Sequence, residues 1–173
     1  MKEAIVSALE KAHVSIHRHA GIVGLSNTYE STFRSFFLEH LCIDNPDVRC
    51  QAEWNRVDLL VRFPECNVLI EFKYFLHRRY MNLDGSDGNR MGGAGSQNQK
   101  EFDRCVEQLY NDRSSPVHDK YIILAYEQKA PSSRAMGYSK FYDQIDSSEM
   151  VKVVDRVSLS DGDSLKSVLI SIA

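Results

Sequence analysis

The chain has 173 residues, 43% of them hydrophobic and 26% charged, which suits one soluble globular domain with a single sizeable core. A formal net charge of −3 excludes a globally basic nucleic-acid binder but leaves room for a local basic groove. No apolar run approaches the roughly 18 residues of a membrane span, so a cytoplasmic protein with no membrane partner is expected.

Residues 2–19 read as an amphipathic helix, with Ile5, Ala8, Leu9, Ala12 and Ile16 near one face. His13 and His17 are spaced i, i+4 on it, which could seat a metal, but no third ligand is in view and a solvated face is the expectation. A second helix follows over 28–42, with Phe33, Phe37 and Leu41 as its inner stripe and Glu30 in line with them. Asn27-Thr28-Tyr29-Glu30 is also a capping-box pattern, so Glu30 either closes the helix or reaches a site at a sheet. Strands are predicted near 48–53, 57–63 and 67–74. Residues 76–99 form the longest irregular stretch and hold five of the nine glycines; a mobile loop is expected over 84–96. A helix over 99–112 buries Phe102, Cys105, Val106 and Leu109, with Gln108 on its flank. Residues 120–127 read as a central apolar strand, 134–145 as a helix and 151–159 as a strand; 164–172 fits either period. Four scattered cysteines with no C-x-x-C pair point to reduced thiols. The order predicts an α/β or α+β sandwich, helices covering a sheet.

The strands around "PECN" carry Asp58, Glu71 and Lys73 where a plain core hairpin would carry none. Alternation puts Glu71 and Lys73 on one strand face. A four-residue loop pairs Phe63 with Val68 and sets Asp58 opposite Lys73, with Glu71 diagonal to it. Such a cluster is costly to bury unless paired or metal-bound. It is either a buried Asp58–Lys73 salt bridge with Glu71 at the rim, or a divalent-metal site of hard carboxylate oxygens.

Asp58, twelve residues, then Glu71-Phe72-Lys73, set between a helix with Glu30 and a helix with Gln108, resembles the PD-(D/E)XK nuclease superfamily. The resemblance covers about residues 28–127, the core of one domain spanning 1–173. No proline precedes Asp58; Arg56-Val57 stands there instead. The resemblance implies a restriction-endonuclease-like mixed β-sheet flanked by helices on both faces. It implies one or two Mg²⁺ or Mn²⁺ ions held by Asp58, Glu71 and the Phe72 carbonyl, with Glu30 ligating directly or through water. Lys73 would position or activate the water, and Gln108 would support the site. The activity implied is hydrolysis of nucleic acid, DNA ahead of RNA, by a homodimer or within a larger defence or repair complex. His77, Arg78, Arg79, Tyr80 and Arg90, at the mouth of the site, are the candidate nucleic-acid contacts. The alternative is a catalytically inactive nucleic-acid- or protein-binding module on the same fold.

Overall fold

The computed structural model describes residues 1–92, 96–113, 116–117, 119–128, 142–143, 145, 148–160 and 164–173, with backbone alone over 77–81 and 87–92. The described helices are α1 (Lys2–Val23), α2 (Glu30–Asp44) and α3 (Ser96–Asn111). The strands are β1 (Arg49–Trp54), β2 (Val57–Arg62), β3 (Asn67–Phe75), β4 (His77–Met81), β5 (Asp87–Gly92), β6 (Asp119–Glu127), β7 (Val151–Val157) and β8 (Leu165–Ile172). Among the described residues six strands form one mixed sheet in the order β1-β2-β3-β6-β8-β7. Of its described pairs, β3–β6 is parallel and the rest are antiparallel. A parallel pair needs a crossover, and α3 lies in the one between β3 and β6.

The central strands β3, β6 and β8 are buried on both faces. Leu59, Val61, Val68, Ile70, Phe72 and Ile123 pack with α1 and α2. Leu60, Leu69, Ile122, Leu124 and Ile170 pack with α3. The inner stripe of α2 is as its spacing predicts: Phe33, Phe37 and Leu41 are fully buried. Phe37 meets Phe72 edge to face at 5.5 Å, and each such side chain removed from water stabilises by about 1.5–3 kcal/mol.

Several expectations need correction. The glycine-rich stretch is not irregular throughout: β4 and β5 pair as a separate antiparallel ribbon. A tight tip holds it, with the Asn82 N–H donating to the Ser86 carbonyl and Gly85 at φ +80°. The ambiguous 164–172 segment is a strand, fixed by β6 on one side and β7 on the other. His13 is not on a solvated face; it is fully buried, and its Nδ1 lies 2.9 Å from Ser167 Oγ. The capping box does not form: the cap of α2 is Tyr29 with no side-chain bond, while the Thr28 hydroxyl donates to the Leu25 carbonyl. Of the predicted 134–145 helix, Tyr142 and Asp143 are helical and most of the rest lies outside the described residues.

Candidate active site

The β2–β3 hairpin turns one residue earlier than its sequence suggests. The Phe63 N–H donates to the Cys66 carbonyl at 2.8 Å, and Arg62 pairs with Asn67. The loop is two residues, Pro64-Glu65, rather than four, because Cys66 and Asn67 join the pairing; Pro64 suits the second position of such a tight turn. The register therefore runs Val61 with Val68, Leu60 with Leu69 and Leu59 with Ile70. One step further, Asp58 falls beside Glu71 rather than Lys73. An offset of two residues preserves the face, so Asp58 and Glu71 still meet.

The ladder stops at Leu59–Ile70, and carboxylates take over beyond it. The Asp58 N–H donates to Glu71 Oε2 at 3.2 Å, and the Phe72 N–H donates to Asp58 Oδ2 at 2.7 Å. The β1 register brackets Glu53 across from Asp58, and Glu53 holds a left-handed φ of 52°. The turn before β2 is equally unusual. Asn55 and Arg56 have φ of 47° and 70°, the two left-handed residues a primed hairpin turn demands. Arg34, one turn along α2 from Glu30, donates from Nη1 to Asp58 Oδ1 at 3.2 Å and to Glu53 Oε1 at 2.8 Å.

Glu71 and Lys73 are 9% and 8% exposed, inside the sheet. The Lys73 amine donates to Glu71 Oε1 at 2.9 Å and lies 3.7 Å from the half-exposed Glu101. The Cys105 thiol also points at Glu71 Oε1, 3.6 Å away. The expected Asp58–Lys73 pairing is thus replaced by Glu71–Lys73 and Asp58–Arg34. Burial alone would lower the Lys73 amine, but the Glu71 carboxylate more than offsets it and holds the amine above its ordinary value.

Glu30 opens α2 in the same field. Burial raises its carboxyl from 4.5 to about 7, against the pull of Lys73, with Asp58 and Glu71 adding to the rise. Asp58 is raised too, by burial first, opposed by the Phe72 N–H bond. Five carboxyls here, Glu30, Glu53, Asp58, Glu71 and Glu101, face two cations, Lys73 and Arg34. The excess negative charge and the hard oxygen donors fit a divalent ion of the Mg²⁺ or Mn²⁺ kind. Among the described residues no three His, Cys, Asp or Glu side chains converge as a cage. Mg²⁺ does not ask for one, since it keeps several waters and takes one or two carboxylates.

Gln108 is not among these groups. Its Nε2 donates to the Arg56 carbonyl at 3.2 Å, tying α3 to the turn two residues before Asp58. His77, Arg78, Arg79 and Tyr80 lie on β4 and Arg90 on β5, immediately after the strand that carries Lys73. Arg34 and Glu101 escaped the sequence reading. Helical spacing carried the signal: Arg34 is four residues from Glu30, and Glu101 is four from Cys105. No family model, curated protein or solved structure matches the chain, so its function is read from the geometry of this site.

Proposed function

We propose that the chain is a metal-dependent nuclease on a restriction-endonuclease-like fold, hydrolysing phosphodiester bonds of nucleic acid, DNA foremost. The observation that carries this reading is the meeting of Asp58 and Glu71 where β2 and β3 part, with Lys73 two residues on and Glu30 in the same field. A single buried ion pair would explain Lys73 and Glu71. It would not account for Asp58 bonded into the same strand end, nor for Glu30 in the same field.

Asp58, Glu71 and the Phe72 carbonyl would hold a Mg²⁺ or Mn²⁺ ion, with Glu30 ligating directly or through water. The ion's contribution when bound is Lewis-acid polarisation of the phosphoryl oxygen and acidification of the attacking water. Lys73 enters as a cation rather than a base, because Glu71 keeps it charged. It orients the water and offsets charge on the phosphate. Arg34 holds Asp58 in place from α2. The water gives up a proton to solvent as its oxygen bonds to phosphorus, the bond from phosphorus to the leaving sugar oxygen breaks, and that oxygen takes up a proton from solvent. No covalent enzyme intermediate is needed. Cutting both strands of a duplex would call for a homodimer or a larger complex.

The test is cleavage of duplex DNA, single-stranded DNA and RNA with Mg²⁺ or Mn²⁺. Lys73→Ala and Asp58→Ala are each expected to lower the rate by at least about 100-fold. Metal-dependent cutting that survives both substitutions sinks the assignment. The second reading is a catalytically inactive binding module on the same fold. The closed Lys73–Glu71 pair and the acidic net charge favour it, and binding with no cutting would establish it.

A further inference from the structure

We infer that the β4–β5 ribbon grips the backbone of duplex nucleic acid, with phosphates on both of its faces. This rests on the nuclease reading for its substrate and goes further by naming a duplex and the element that holds it.

The ribbon starts where the catalytic strand ends. Phe75 is buried in the core beneath α3, and the next residue, Leu76, in the core beneath α1 and α2. Both cores therefore clamp its root, four residues past Lys73. Its first strand packs beside the short 3-10 turn Leu25–Asn27. A two-stranded ribbon with no third strand is marginal in water. This one has a polar sequence and adds a further burden: Arg79 pairs directly with Arg90. Like charges in register repel, and an anion between them turns the repulsion into attraction.

The register also decides between a single strand and a duplex. His77 and Arg79 share a ribbon face by alternation, and Arg90 joins them as the partner of Arg79. Arg78 and its partner Met91 lie on the opposite face. One strand of nucleic acid would lie along one face. A duplex groove has two phosphate walls, and the major groove is wide enough for a two-stranded ribbon. The acidic positions lie toward the tip, beyond the Arg79–Arg90 pair. Asp84 is in the tip, its Oδ1 taken by the Ser86 N–H and hydroxyl, and Asp87 pairs with Met81 at the far end. From Lys73 to Arg79 is at most about 20 Å at roughly 3.3 Å per residue. That is about six base-pair steps, so the ribbon contacts lie within one turn of the cut.

The experiment is fluorescence anisotropy in metal-free buffer. A labelled duplex of about 30 base pairs, roughly three turns, is compared with the same strand alone. Duplex is expected to bind at least about tenfold tighter. Arg79→Gln/Arg90→Gln should weaken duplex binding about tenfold and reduce the log–log salt slope by about two; Arg78→Gln should reduce it by about one. Arg79→Lys/Arg90→Lys should keep the wild-type slope, which separates charge from damage to the ribbon. Equal or tighter binding of the single strand, an unchanged slope in the Gln variants, or no binding by the wild type overturns the inference. The nuclease reading fails separately. Single-strand cutting that needs Lys73 would keep the nuclease and remove the ribbon role. Duplex gripping with no cutting in Mg²⁺ or Mn²⁺ would do the reverse.

Discussion

Glu30→Gln should stabilise the metal-free protein at alkaline pH. The fold favours the neutral carboxyl, raising it from 4.5 to about 7, with burial the largest cause. A raised folded value gives stability that is complete below about 4.5 and lost as pH climbs through about 7. From pH 5 to pH 8 the loss from this one group is about 2–3 kcal/mol. Glutamine has nearly the shape of the neutral acid and cannot ionise, so the variant escapes that loss. For a chain of this length the gain at pH 8 is roughly 5–10 °C in Tm. The assay is thermal unfolding in EDTA at several pH values for both proteins. The variant should match the wild type near pH 5 and pull ahead as pH rises. Parallel decline of the two curves would refute the argument. Adding Mn²⁺ at pH 8 should raise the wild type more than the variant, because the ion favours the ionised Glu30.

Three further outcomes are expected. Arg56→Gly should raise stability by about 1 kcal/mol in urea unfolding, since glycine adopts a φ of 70° without strain and the Gln108 bond to the residue 56 carbonyl remains. Lys73→Met should cost roughly 3 kcal/mol by leaving Glu71 buried without its partner; adding Glu71→Gln should recover part of that, a non-additivity read from a double-mutant cycle. Phe37→Ala should cost about 3–5 kcal/mol, because Phe37 is fully buried against Phe72 between α2 and the sheet.

The α2 stripe of Phe33, Phe37 and Leu41 was legible because a period of 3.6 needs no partner to be seen. So was the misfit of Asp58, Glu71 and Lys73 on apolar strands. Their pairing was not. It turned on whether Cys66 and Asn67 belonged to the loop or to the strand pairing, which neither hydrophobicity nor alternation decides. The β4–β5 ribbon was hidden because its two segments, 77–81 and 87–92, show no apolar alternation in the sequence. For 164–172 the periods of helix and strand coincide over one short apolar run; its partners β6 and β7 decide, and they lie far away in sequence. Arg34 and Glu101 joined the site through tertiary placement, which spacing on a helix suggests only after the site is known.

The two amides where β2 and β3 part have a consequence for spectroscopy. The Phe72 N–H is held by the Asp58 carboxylate and the Asp58 N–H by Glu71. Each candidate ligand thus carries its own reporter on the neighbouring strand. An event that redirects either carboxylate, whether an ion, a proton or a bound phosphate, must loosen or tighten one of these bonds. Amide chemical shifts and hydrogen-exchange rates at positions 58 and 72 would register it residue by residue, with no label attached to the site.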